Sequence, residues 1–320
     1  MTSEFGLIDA FTAPFEKRAP GLLVGPGDDC ALTSVSDGMA LCATVDALVE
    51  GVHFLGAIFE DAEIGHKALA INLSDLAAMG ARPRWFLCSV ACPADAASMA
   101  RLTGISRGMA ALAQRAGILL IGGNFTRAEA LSLHITALGE VPTGQAMLRS
   151  GACVGDVLFV SGTLGGAALA LGWMREGRPM PDALRQRQSR PEPRLELGLL
   201  ARDFASAAMD VSDGLLQDLA HLIEKSGHGF EVDLSKLPLD PALVESGAPL
   251  DLALTGGEDY ELLLTVPQSK AVEFERACAQ RGMAVTAIGR ARSDDRLELV
   301  NAPSHLSLTG TAKRGFDHFG

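Results

Sequence analysis

Residues 131–141, "LSLHITALGEV", alternate apolar and polar positions with the period of two expected of a half-buried strand. Apolar runs at 39–46, 84–91 and 117–121 predict three further strands. Between them, 61–79 reads as a helix and 95–116 as an Ala-rich helix. A short amphipathic helix is expected over 4–18. "PTGQ" then breaks the pattern, which places a domain boundary near residue 145. Alternation resumes with a strand at 157–161, a helix at 164–175, a strand at 206–211 and a helix at 214–225. Strands near 229–233, 259–266 and 284–289 follow, with a helix at 268–281 between the last two. Residues 176–193 hold four prolines among several arginines and read as a loop or linker. Two α/β domains with mixed sheets are expected, 1–145 and 146–320.

Composition narrows the function classes. Hydrophobic residues make up 48% of the 320 and aromatics only 5%, so the cores must be built from Ala, Leu, Val and Ile. The formal charge of −12 argues against nucleic acid or an anionic membrane as partner, since both are bound through basic patches. A phosphate bound near so many acids needs metal ions in between. The six cysteines include no C-x-x-C pair and are expected to be reduced core residues, which points to the cytoplasm. Residues 157–174 carry no charge, but "SGTLGG" inside them reads as strand, turn and helix start rather than a membrane span. The N-terminus has Glu4 and Asp9 and no basic run, so no signal peptide is expected.

Several acids stand where acids are costly. Asp75 is the only ionisable residue from Ala68 to Ala81. A helix apolar almost all round is buried, so Asp75 lies at a partly exposed edge of the helix, is a locally hydrogen-bonded carboxylate, or is a metal ligand. Asp210 and Asp213 lie where a small-residue strand meets the next helix, and Ser212 or Asp213 could be its N-cap. Asp46 ends the strand 39–46 in the same manner, and "GPGDDCA" at 25–31 sets Asp28 beside Asp29 behind two glycines. Oxygen-only clusters of this kind suit hard cations such as Mg²⁺. His53, in "EGVHF", reads on its own as a packed loop histidine. "TGGEDYELLLTV" at 255–266 gathers Glu258, Asp259 and Glu261 at a strand entrance, either a solvated rim or a cation site. "GILLIGGNFTR" at 117–127 runs a strand into two glycines, where backbone N–H groups could approach a phosphate. "LRSGACVGD" adds Arg149 beside another turn. Neither stretch, nor any other in the chain, matches the P-loop; "GPGDDC" fails the dinucleotide fingerprint because Cys30 stands where its third glycine should be; and the protein-kinase motif set is missing.

Taken together, "GPGDDCAL", "TVDALVEGVHF", "KALAINLSDLAAMGA", "IGGNFTR", "LRSGA..GD", "DVSDGLLQDL", "TGGEDYELLLTV" and "RGFDHF" resemble the thiamine-phosphate kinases. These belong to the superfamily of aminoimidazole ribonucleotide synthetase and selenophosphate synthetase. The resemblance runs from residue 25 to 319, in the family's order. It implies a two-domain aminoimidazole ribonucleotide synthetase-like α/β (α+β) fold with mixed sheets. The N-terminal domain would bind metal and ATP and form a homodimer, and the C-terminal domain would complete the active-site cleft. It implies ATP-dependent phosphorylation of thiamine phosphate, assisted by several Mg²⁺ ions, with no general base. Carried over by motif, Asp29, Thr44, Asp46, Asp75, Asp210 and Asp213 would be metal ligands. Gly123, Asn124, Arg149 and Ser212 would lie at the ATP, and His53, Glu258 and Phe316 at thiamine phosphate. The family's usual "GGD" stands here as Gly122-Gly123-Asn124, so an amide takes the place of one metal-ligating carboxylate. Val45 likewise replaces a hydroxyl residue. Two alternatives stay open at this point: another ATP-dependent enzyme of the superfamily, and a non-catalytic Mg²⁺-nucleotide-binding protein.

Overall fold

A computed structural model describes residues 4–16, 18, 20–26 and 29–302. Contacts divide the chain into two compact units. One is Met1–Leu76 with Ala81–Gly144, the other Ala77–Gly80 with Gln145–Gly320.

The first unit runs α1 (Glu4–Thr12), β1 (Leu22–Val24), β2 (Leu32–Thr33), β3 (Met39–Val49), α2 (Asp61–Ala78), β4 (Arg82–Cys92), α3 (Ala96–Ala116), β5 (Leu119–Arg127) and β6 (Ser132–Pro142). Four strands form a mixed sheet in the order β3-β6-β4-β5, antiparallel except for the β4/β5 pair. Period-two burial along β6 turns Leu133, Ile135 and Ala137 to the core face. The local signals that delimit α3 are complete: Asp95 accepts the N–H of Ser98 at its start, and Gly117 ends it at φ 65°.

Two strands outrun their expected ends. β3 continues to Val49, which puts Asp46 inside the strand rather than at its terminus. β5 runs through Gly122 and Gly123 to Arg127. The glycines belong to the strand because its backbone comes close to β4. A Cβ on Gly123 would lie 2.0 Å from the carbonyl oxygen of Cys88.

The second unit continues with β7 (Val157–Ser161), α4 (Gly166–Arg175), α5 (Asp182–Ser189), α6 (Leu195–Ala201), β8 (Ala207–Val211), α7 (Leu215–Ser226), β9 (Phe230–Asp233), α8 (Pro241–Ser246), α9 (Asp251–Thr255), β10 (Glu261–Val266), α10 (Ala271–Ala279), β11 (Val285–Ala291) and β12 (Leu297–Val300). Its six strands are ordered β12-β9-β11-β7-β10-β8, with only the β12/β9 pair parallel. Both faces of this sheet are buried. Leu158, Val160, Met209 and Leu263 join one core, and Phe159, Ala208, Leu262 and Leu264 the other. That is why β10 reads as a nearly unbroken apolar run.

The stretch expected to be a linker contains α5. Its eight residues include a single leucine, so periodicity carries no signal there. The helix is framed by prolines and anchored by buried Leu184, Gln188 and Ser189. The cysteines also differ from expectation. Cys88, Cys92 and Cys278 are buried, whereas Cys30 and Cys153 are exposed; all six are free.

Candidate active site

In the first unit the acids sit where α2 faces β3. The Thr44 hydroxyl donates to Asp75 Oδ2 at 2.5 Å, which gives the half-buried carboxylate a local partner. Asn72, one turn earlier on α2, accepts the backbone N–H of Asp46 at 3.0 Å and donates to the carbonyl of Ala68. β3 is an edge strand, so alternate N–H groups have no sheet partner, and a buried amide side chain satisfies one of them. Asn72 was not among the expected site residues. Its signal was a polar residue in the same apolar run that drew attention to Asp75.

Sheet register sorts the remaining residues. Asp46, Ile135, Cys88 and Gly123 pair across four strands in one row and share a face. Asn124 is therefore turned to the opposite face, together with Val45, which is 65% exposed. Thr44, Asp46 and Gly123 are on one side, and the two positions that depart from the family pattern are on the other. Asp29 is exposed in a bend, and Asp28 lies outside the described residues.

His53 is half-buried in the turn after β3. Its ring Nδ1 accepts the N–H of Val49 at 3.0 Å, and its own N–H donates to the Val49 carbonyl at 2.9 Å. A neutral ring accepting at Nδ1 carries its proton on Nε2.

In the second unit two loops are stitched together at the end of β8. Glu258 donates its N–H to the Ser212 carbonyl at 2.7 Å, and Tyr260 donates to that of Val211 at 2.9 Å. Glu258 (φ 61°) and Tyr260 (φ 49°) hold the left-handed backbone that non-glycine residues rarely adopt and that clusters at functional sites. Gly257 precedes them at φ 65°, with its Cα so close to the Ser212 carbonyl that a Cβ would stand 2.7 Å away. Gln188 on α5 donates to the Glu258 carboxylate at 2.5 Å, so the unexpected helix supports a predicted substrate contact. Arg149 is exposed on a turn anchored at the other end of β8, where Gly151 lies against Ser206. Phe316 lies outside the described residues.

Neither Ser212 nor Asp213 caps α7. Asp218, from inside the helix, accepts the backbone N–H groups of both Ser212 (3.0 Å) and Asp213 (3.2 Å). Its carboxyl is pushed up to about 8, first by burial and then by the charges of Asp210 and Asp213, against the pull of the two N–H groups. Asp259, next to Glu258, is pushed up to about 7 by burial, although the N–H groups of Gly165 and Ala167 favour its charged form. Its carboxylate oxygens accept from Gly165 at 2.9 and 3.1 Å.

This crowding tests the donor set for a cation. The charges of Asp210 and Asp213 are near enough to oppose the ionisation of Asp218, and the candidate donor atoms are carboxylate and hydroxyl oxygens, the kind a hard cation takes. Among the described residues, no three acidic, histidine or cysteine side chains form a metal cage by themselves.

Residues 27–141 match the AIR synthase related protein N-terminal domain, and residues 154–301 the corresponding C-terminal domain. The chain is 38% identical to the thiamine-monophosphate kinase of Salmonella typhimurium over 325 aligned positions, covering 99% of this chain and 98% of that one. The chain belongs to the thiamine-monophosphate kinase family. A solved thiamine-monophosphate kinase from Stenotrophomonas maltophilia K279a superposes with a TM-score of 0.85 at 40% identity, over 93% of this chain and 96% of that one. A second relative of the family, solved as AaThiL complexed with AMPPCP and TMP, matches at 32% identity and a TM-score of 0.75, with 95% of each chain covered. The two-domain fold with mixed sheets is therefore the family's. Among the described residues, no helix is long and apolar enough to cross a membrane.

Proposed function

We propose that this chain carries out its family's reaction, ATP-dependent phosphorylation of thiamine phosphate to thiamine diphosphate, by direct in-line transfer assisted by several Mg²⁺ ions. The observation that carries the residue assignment is the bond from Glu258 to Ser212. It joins the loop read as holding thiamine phosphate to the loop read as holding ATP. Asp29, Thr44, Asp46, Asp75 and Asn124 in the first unit, with Asp210 and Asp213 in the second, would hold the ions. Bound Mg²⁺ supplies the positive charge that lets phosphates approach these acids and that offsets charge on the transferring group.

The chain's own groups bind and orient. Gly123, Asn124, Arg149 and Ser212 hold the nucleotide; His53, Glu258 and Phe316 hold the acceptor. His53 presents Nε2–H, a donor suited to a phosphate oxygen, and the Glu258 carboxylate suits the cationic thiazolium. No side chain acts as general base, because the attacking phosphate oxygen is already ionised at neutral pH. Catalysis is positioning plus charge neutralisation. The six free cysteines support a cytoplasmic location. The outer face of the first sheet, with Leu41 and Val45 exposed, supports a homodimer through this unit.

The deciding assay incubates the protein with ATP, Mg²⁺ and either thiamine phosphate or free thiamine. Thiamine diphosphate should form from the first, and no monophosphate from the second, because an alcohol acceptor needs a base. Comparable turnover of free thiamine would overturn the mechanism, and no product from either would overturn the activity.

A further inference from the structure

We propose that Arg101, on α3, is a positioning residue that sets His53 for the acceptor phosphate; this rests on the reading of His53 as a substrate contact. Arg101 Nη1 donates to Glu50 Oε1 at 3.0 Å, and its Nε donates to Asp61 Oδ1 at 3.1 Å. One planar guanidinium thus ties the residue that opens the "EGVHF" turn to the first residue of α2. Glycine at position 56 leaves room for the pair as it stands: a Cβ there would lie 2.2 Å from Glu50 Oε1 and would push the carboxylate aside.

The turn transmits this anchor to the ring in few steps. Glu50 is held at the strand end by its N–H to the Leu131 carbonyl. Gly51 donates to the Phe54 carbonyl, closing the turn around His53. Phe54 is buried against Phe59, edge to face at 6.5 Å between centroids, so the far side of the turn is fixed by packing. Val49, immediately before Glu50, makes both the backbone and the ring bond to His53. The imidazole is thereby set in orientation and tautomer, with Nε2–H as donor. A ring free to rotate or to exchange tautomers would offer that donor only part of the time. Arg101 holds the one end of the turn that is fixed by side-chain charge rather than by packing. A lysine could not serve both carboxylates with the same planar geometry.

A double-mutant cycle over Arg101→Met and His53→Ala tests the assignment, with KM and kcat for both substrates and Tm for each protein. Arg101→Met should raise the KM for thiamine phosphate about tenfold, the scale expected for losing one well-oriented hydrogen bond, with kcat and the KM for ATP within about a factor of two. The double variant should be no worse than His53→Ala alone, since Arg101 acts through His53. In ring ¹⁵N spectra, His53 of the native protein should show a single Nε2–H tautomer, and Arg101→Met a tautomer average. If His53→Ala raises that KM and Arg101→Met does not, or if the two losses multiply, the positioning role is wrong. If His53→Ala itself leaves the KM unchanged, the substrate reading of His53 falls and takes the inference with it. Should Arg101→Met fail to fold, Glu50→Gln weakens the same anchor without removing the guanidinium. It should give a smaller KM rise in the same direction, and no rise would overturn the proposal.

Discussion

Glu258 donates its backbone N–H to the carbonyl of Ser212 at 2.7 Å, and does so from the left-handed region of backbone space. The contact fixes the Glu258 carboxylate relative to the end of β8, and Gln188 fixes its rotamer. Glu258→Gln keeps the volume, the backbone and an oxygen for Gln188, and removes only the charge. The KM for thiamine phosphate should rise about tenfold to a hundredfold, the range for hydrogen bonds to charged groups, while the KM for ATP stays put. Steady-state kinetics with each substrate varied decide it. An unchanged KM for thiamine phosphate removes Glu258 from the acceptor site.

Thr44 and Asp75 make the corresponding pair in the first unit. The hydroxyl satisfies one carboxylate lone pair and, if Asp75 is a metal ligand as proposed, would orient the rest for a cation. Thr44→Val removes that donor at equal size. Turnover at limiting Mg²⁺ should fall by about ten- to a hundredfold, with partial rescue by excess Mg²⁺, as for loss of a charge-stabilising contact. Thr44→Ser should restore most of it. Equal Mg²⁺ dependence in the Val and Ser variants would show that the hydroxyl has no part in metal binding.

The sequence made β6, α3 and α7 legible because each carries a full local signal: period-two burial, caps at both ends, or a leucine stripe. It misplaced features that depend on tertiary contact. Gly122 and Gly123 read as the end of a strand, yet β4 draws them into β5. α5 has no apolar stripe of its own and is held by its neighbours. The acids proposed for the site were conspicuous because a carboxylate in an apolar run is anomalous in the sequence itself. Asn72, Asp218, Gln188 and Arg101 were not, because polar residues on helices are ordinary until a partner is visible. The faces of β5 were also hidden, since alternation cannot be read across two glycines.

Val45 and Leu41 lie exposed on the outer face of the first sheet. If a second copy covers that face, a charge placed there must be buried without a partner on association, at a cost of several kcal/mol. Val45→Glu should convert the dimer to monomer in sedimentation velocity, with each chain still folded by circular dichroism. A native protein that sediments as a monomer, or a variant that remains dimeric, removes this face as the interface.

Asp259 makes stability depend on pH. Burial pushes its carboxyl up to about 7, above the usual carboxylate range. Between about pH 4 and 7 the folded chain keeps a proton that the unfolded chain has released. The stabilising contribution is complete below that window and is lost as pH rises through it, by up to about 1.4 kcal/mol per pH unit. Asp259→Asn is neutral throughout and keeps an acceptor for Gly165 and Ala167. Urea unfolding should show the variant gaining on the native protein from pH 5 to pH 8. A gap that is the same at both values would mean that Asp259 does not titrate in this window.

Asn124 carries the sharpest test of the metal assignment, because the sheet register turns it away from Thr44 and Asp46. Side chains on opposite faces of one sheet do not share an ion within one chain. If Asn124 stands for a metal-ligating carboxylate, it therefore serves a different ion from the one beside Asp75. Asn124→Asp adds one negative charge there, and ligand charge sets affinity for a hard cation. The Mg²⁺ concentration for half-maximal activity should fall at saturating ATP. Turnover can move either way, since tighter ground-state binding need not favour the transition state. Combined with Thr44→Val, the change should act independently, each shift adding to the other, because the two positions neither touch nor share a partner. If Asn124 only hydrogen-bonds the nucleotide, the new carboxylate repels phosphate instead. The KM for ATP then rises, the Mg²⁺ requirement does not fall, and the metal-ligand reading of Asn124 is lost.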